Sequence, residues 1–119
     1  MFTNVTSTSH LRSSPSLLVE VPAEKPEWLS EIVEAVSEVT QIAQADDYGQ
    51  IGEFPLCQHG VAAAPTRALG VCSSMTTAPY AVTTEVCSDS PGVSAEQCVR
   101  AQVAAVCAAL NHVRRVEGL

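Results

Sequence analysis

The stretch that predicts the fold class is residues 26–45, PEWLSEIVEAVSEVTQIAQA. Its apolar residues recur at steps of three and four, which is the pattern of an amphipathic helix with one buried face. Pro26 suits the first helical position, where its missing N–H costs no hydrogen bond. The apolar positions are Trp28, Leu29, Ile32, Val33, Val36, Val39, Ile42 and Ala43. The sequence therefore predicts a long helix over 26–45.

A second long helix is predicted over 94–116. Ser94 and Gln97 have the spacing of a capping box, in which the serine accepts a hydrogen bond from the first turn. Gly118 follows as a natural stop. The apolar positions alternate four and three apart, at Val99, Val103, Val106, Leu110 and Val113.

The apolar stripes of these two helices are expected to pack on each other, within one chain or across a homodimer. Val36 lies at the centre of the first stripe, and Val103 and Leu110 lie in the second. On this hypothesis a charge at Val36 or Val103 has to be buried or has to separate the helices, and either outcome unfolds the chain or splits the dimer.

The rest of the chain is predicted to be less regular. Residues 1–24, rich in serine and threonine, are expected to form a flexible or disordered N-terminal tail, although the apolar residues at 17–21 also suit a strand. Residues 46–65 contain turn-forming residues and are predicted to be a loop. Residues 69–75 and 80–87 are predicted to form a β-hairpin. The predicted fold is α+β, with two long amphipathic helices packed with this hairpin in one domain over 25–119.

Charge narrows the range of partners. The chain has 13 acidic and 6 basic residues and a net charge of −7, so binding to nucleic acid or to an anionic membrane is disfavoured. No apolar run is as long as a membrane span, and the first residues lack the features of a secretory signal. The sequence therefore predicts a cytoplasmic protein with reduced cysteines.

The strongest candidate for a chemical site consists of Cys57, His59, Cys72 and Cys87. Thiolates and imidazoles are the ligands that zinc prefers, and Cys57 and His59 lie on the same side of an extended chain. However, the sequence lacks the C-x2-C pair that makes a zinc motif specific. Cysteines that bind nothing are therefore favoured and no cofactor is expected, with a small zinc-binding module as the alternative.

Two further cysteines, Cys98 and Cys107, lie nine residues apart in the second predicted helix. At 100° per residue, nine steps place them on opposite sides of the helix axis. Cys107 is expected to face the core and Cys98 to be more exposed.

No nucleophile, acid–base or phosphate-binding motif stands out in the sequence, so an enzyme is not expected. The favoured hypothesis is a small acidic interaction or accessory protein that acts through a helical face and binds a protein partner or a second copy of itself. The layout also resembles that of precursors of ribosomally made, modified peptides. In those precursors a helical leader precedes a segment rich in Ser, Thr and Cys, as residues 66–98 are here.

Overall fold

The computed structural model describes residues 15–20, 24–70, 75–85 and 94–119. Within these ranges the chain forms a five-stranded sheet and three helices. In chain order the elements are β1 (Ser16–Glu20), α1 (Pro26–Ser37), β2 (Gln50–Ile51), β3 (Phe54–Gln58), β4 (Val61–Ala64), α2 (Thr66–Leu69), β5 (Thr83–Glu85) and α3 (Ala95–Glu117).

The sheet has the strand order β2-β3-β4-β1-β5. Strand β1 runs parallel to β4, with Leu17 opposite Val61, and antiparallel to β5, with Leu17 opposite Thr84. The remaining pairs, β2–β3 and β3–β4, are antiparallel. Leu17, Leu18 and Val19 are all buried, as in strands that are covered on both faces. This strand lies within the predicted tail of residues 1–24, and residues 1–14 are outside the described ranges.

The two faces of the sheet have different coverings. Leu17 and Val19 lie in the main core with residues of α1 and α3. Leu18 points to the opposite side, where it clusters with Ala43 and Ile51. Because successive strand residues alternate between faces, α1 and α3 both lie on the Leu17 side of the sheet.

The α+β class and the second long helix are confirmed. Helix α3 begins after Ser94, whose hydroxyl accepts a hydrogen bond of 3.0 Å from the backbone N–H of Gln97. It ends at Gly118, whose φ of 74° is the left-handed conformation typical of a helix C-cap. The side-chain amide of Gln97 donates to the carbonyl oxygen of Val39 at 3.2 Å and so ties the start of α3 to the chain that follows α1.

The first long helix was predicted wrongly, because α1 ends at Ser37 and not at residue 45. Beyond a turn at 38–40 the chain has no regular secondary structure, and the N–H of Ala43 donates to Pro15 O at 2.9 Å. Ile42 then joins the main core while Ala43 joins the cluster across the sheet. Burying neighbouring residues in opposite directions requires extended chain, and this tertiary requirement overrides the helical spacing.

The predicted loop and hairpin also need correction. Strands β2, β3 and β4 lie in the predicted loop, and the glycines Gly52 and Gly60 occupy the turns between them with φ values of 64° and 75°. In the described part of the predicted hairpin, β5 pairs with β1 and Leu69 ends the short helix α2. Residues 71–74 and 86–93, which belong to the predicted hairpin and the turn after it, lie outside the described ranges.

Gly60 is where a turn of the sheet comes closest to the core. A Cβ at this position would lie 2.8 Å from Cγ2 of Ile42 and 3.0 Å from Cγ1 of Val33. We predict that Gly60→Ala lowers the free energy of unfolding by about 3 kcal/mol, since overpacking adds to the cost of a left-handed backbone. Urea unfolding measures the change.

Gly49→Ala is the matched control for this substitution. Gly49 has a similar φ of +73°, but nothing lies within 4 Å of a Cβ placed there. Only the backbone cost of about 1–2 kcal/mol is expected. Equal losses in the two variants would contradict the close approach at Gly60.

Candidate interaction surface

Helix α3 has two apolar faces of different character. The valine face consists of Val99, Val103, Val106 and Leu110, and the alanine face of Cys98, Ala101 and Ala105. At 100° per residue the centres of these two faces are separated by roughly 140° around the helix axis. Only one of them can face the core.

The alanine face is the one that packs on α1. Ala101 and Ala105 are 1% and 3% exposed and lie in the same cluster as Leu29, Ile32 and Val36. Because alanine projects little from a helix, the two helices come close together and the larger side chains of α1 fill the space between them. Val36 therefore lies in a helix–helix interface as expected, although the residues facing it are alanines.

The valine face points to solvent. Its exposed fractions are 61% for Val99, 55% for Val103, 53% for Val106 and 65% for Leu110, while Val113 is half-buried at the edge of the core. The expected packing of Val103 against Val36 within one chain is therefore wrong. The large side chains of α1 pack against the alanines, where the small side chains leave room for them. This packing places the valines on the solvent side of α3.

The helix rotation also reverses the expectation for the two cysteines of α3. Cys98 is buried and Cys107 is exposed. Position 98 lies one turn before Ala101 on the alanine face, whereas Cys107 lies one turn after Val103, beside the valine face.

Charged residues surround the valine face. Arg100 and Arg114 lie along one edge of it, and Glu96 and Glu117 lie beyond its two ends. Three of the six basic residues of the chain, at positions 100, 114 and 115, are on α3. The face is thus an apolar stripe with basic residues beside it on an otherwise acidic protein.

A polar cluster holds the second half of α3 against α1. His112, which is 7% exposed, donates from Nδ1 to Oε2 of Glu31. Arg115 donates from Nη2 to both carboxylate oxygens of Glu31, at 2.9 and 2.7 Å. These bonds lower the pKa of Glu31, with the His112 bond as the largest cause and the Arg115 bond next. The cluster fixes the rotation of α3 and so keeps the valine face outward.

Aromatic contacts secure the same end of the helix pair. The indole N–H of Trp28 donates to the carbonyl oxygen of Ala109 at 3.1 Å, and the Trp28 and Tyr80 rings meet edge to face at 5.1 Å. The Tyr80 hydroxyl donates to Glu117 at 2.9 Å, a bond that raises the pKa of Tyr80. The Nζ of Lys25 lies 4.9 Å from the Tyr80 ring centroid.

The residues of the zinc hypothesis are only partly described. The side chain of Cys57 is exposed on β3, and His59 is exposed in the turn that follows. Partial desolvation raises the pKa of the Cys57 thiol, which favours the protonated form. Cys72 and Cys87 lie outside the described ranges, and within those ranges no group of three His, Cys, Asp or Glu side chains is placed to hold a metal ion. Zinc binding therefore stays a prediction, because two of its four residues lie outside the described ranges.

Among the helices of the described ranges, none has the combination of length and hydrophobicity that crossing a bilayer requires. A comparison with protein-family models finds no match to this chain, and a comparison with curated proteins finds none either. The function is therefore inferred from the packing and the surface of the chain itself.

Substitutions at the two valines distinguish the buried face from the exposed one. We predict that Val36→Asp lowers the free energy of unfolding by about 3–5 kcal/mol, since it leaves an unpaired charge in the core. Val103→Asp should cost less than about 1 kcal/mol, because position 103 is solvated. Urea unfolding followed by circular dichroism, at concentrations too low for self-association, measures both.

Glu34→Lys, on the exposed side of α1, serves as the surface control and should change stability by less than about 1 kcal/mol. A loss for Val103→Asp as large as that for Val36→Asp would show that the valine face is buried.

The Glu31 cluster predicts an acid-sensitive stability. A carboxyl group whose pKa is lowered by folding stabilises the native state above its unfolded pKa of about 4.3, and the stabilisation is lost as the pH falls through the lower folded value. We predict that Glu31→Gln has a lower melting temperature than the parent at pH 7. Between pH 7 and pH 3 its melting temperature should then fall by less than that of the parent. Glu34→Gln is the control. If the melting temperature of Glu31→Gln fell with pH as much as that of the parent, Glu31 would not be the source of the acid sensitivity.

Proposed function

We propose that this protein is a non-catalytic interaction protein and that it binds a protein partner through the valine face of α3. The observation that supports this most directly is the exposure of four large apolar side chains in a row along one helix. Contiguous apolar patches on soluble domains mark interaction sites more often than chance exposure does.

The spacing of the face suits helical recognition. Residues 99, 103, 106 and 110 follow the i, i+4, i+7, i+11 pattern with which one helix contacts another helix or an apolar groove. Burying the exposed half of each of these side chains contributes about 1 kcal/mol. Together the four side chains contribute about 4 kcal/mol. The apolar surface that the partner buries against them has to supply the rest of the free energy that association requires.

The face is also held in place before any partner arrives. Helix α3 is anchored on its opposite side by the alanine face, by the Glu31–His112–Arg115 bonds and by the Trp28 bond to Ala109. A partner therefore meets an ordered helix and binds without the entropy loss of ordering one.

The alternatives find less support. His112 is mostly buried and its contacts tie α1 to α3, so a structural role explains it and we propose no catalytic one. Cys98, within the segment expected to be modified in a peptide precursor, is buried in the core, which does not favour that reading. A cytoplasmic location, with reduced Cys57 and Cys107 at the surface, remains part of the proposal.

Site-specific photocrosslinking in the cells that make the protein tests this function. A benzoylphenylalanine at position 103 or 110 should give an adduct of one discrete mass, whereas the same residue at Glu34 should give none. Combining position 103 with Leu110→Asp should reduce the adduct about tenfold, since losing one apolar anchor costs roughly 1.4 kcal/mol. The absence of a discrete adduct from both positions would overturn the proposal.

A further inference from the structure

We propose that the partner is a second copy of this chain and that the two valine faces pack antiparallel. The two-fold axis crosses the interface at the level midway between residues 104 and 105. This inference rests on the proposed function, because it names the occupant of the same face.

The valine face is complementary to the same face of a second helix that runs in the opposite direction. Its steps of four, three and four residues are the same when read from either end, so an antiparallel copy aligns apolar residues at every level. Val99 of one copy then lies opposite Leu110 of the other, and Val103 opposite Val106. A two-fold axis repeats each contact, which gives four apolar layers from one short stripe.

The charges around the face match in the same register. Position 113 of the second copy lies opposite position 96, so Arg114 of the second copy lies within one residue of the level of Glu96 of the first. The symmetry repeats this pair at the other end of the interface. A parallel arrangement places identical residues at the same level and gives neither Glu96 nor Arg114 an opposite charge.

A competing antiparallel register, which would place the two copies of Cys107 opposite each other, is disfavoured by its charges and apolar contacts. Setting Cys107 of both copies opposite each other shifts one helix by five residues, about 7.5 Å along the axis. This shift brings Arg100 opposite Arg114 at both ends and places Val103 opposite Asn111. Like charges then face each other and the apolar layers are lost, so a Cys107–Cys107 disulfide is not expected in the preferred dimer.

The small size of the interface indicates weak association. Helix α3 has 23 residues and is about 34 Å long, and its four exposed apolar residues form the centre of the contact. Such an interface lies at the small end of specific complexes, at or below about 1,200 Å². We therefore expect a dissociation constant in the micromolar range.

Sedimentation velocity over a concentration series tests for the dimer. The chain of 12.5 kDa should move towards a mass of about 25 kDa as its concentration passes through the micromolar range. Val103→Asp should remain monomeric with an unchanged circular dichroism spectrum, and Glu34→Lys should associate like the parent. A parent that stays monomeric at several hundred micromolar would overturn this inference, although crosslinking to a different protein would still support the proposed function.

Charge exchange tests the register. Glu96→Arg should weaken the dimer about two- to tenfold, because two exposed ion pairs are lost. Combining it with Arg114→Glu should restore most of the affinity. A double variant as weak as the single one would contradict the proposed pairing of Glu96 with Arg114.

Disulfide trapping tests the orientation. Val99→Cys and Leu110→Cys are made in a Cys107→Ser chain, because the exposed Cys107 of the second copy would lie within three residues of the level of position 99. The two chains, mixed and oxidised, should give the heterodisulfide between positions 99 and 110, identified by peptide mass mapping. Each variant alone should not link through its new cysteine, because the two copies of that residue lie roughly 16 Å apart along the axis. Efficient Val99→Cys homodimers without heterodisulfide in the mixture would show a parallel pairing and overturn the antiparallel one.

Discussion

The fit between α1 and the alanine face of α3 determines the architecture. Leu29 and Ile32 are fully buried at 0% exposure, and they require a neighbour that comes close without filling the same space. Ala101 and Ala105 meet that requirement, because a helix surface of small residues leaves room for large side chains opposite. The sheet then closes the remaining side of the core through Leu17, Val19 and Val61. This fit also leaves the larger apolar residues of α3 without a partner in the same chain.

Local signals in the sequence predicted the elements better than their packing. Both ends of α3 followed from residues adjacent to them, Ser94 and Gly118, and Pro26 marked the start of α1. The choice of buried face on α3 had no such signal. A ranking by hydrophobicity places valine and leucine inside and treats alanine as neutral, whereas burial here is determined by side-chain size on the opposing helix. That information lies some 70 residues away in the chain.

The polar cluster of Glu31, His112 and Arg115 was missed for a related reason. Nothing near Glu31 in the sequence distinguishes it from Glu27, Glu34 and Glu38, and its partners are 81 and 84 residues further along the chain. One signal was available, since His112 follows Ala101 and Ala105 at helical spacing and so belongs to the same face. Similarly, Gly52 and Gly60 fall in the predicted loop because β3, the strand between them, has only five residues and contains Pro55, which weakens its pattern.

The position of β1 between β4 and β5 has a consequence for how the protein is made. This strand is synthesised before both of its neighbours in the sheet, β4 and β5, whose Val61 and Thr84 lie opposite Leu17. The apolar face of α1 likewise has no helix to pack on until α3 has been synthesised. On the ribosome, the nascent chain therefore exposes one edge of β1 until β4 has been added and the other edge until β5 has been added. The apolar face of α1 stays uncovered longer, until residue 105 and its neighbours have been added. Such high contact order slows folding, and unpaired edges promote aggregation. The interval between the synthesis of β1 and that of α3 is thus when the nascent chain exposes the most surface that promotes aggregation.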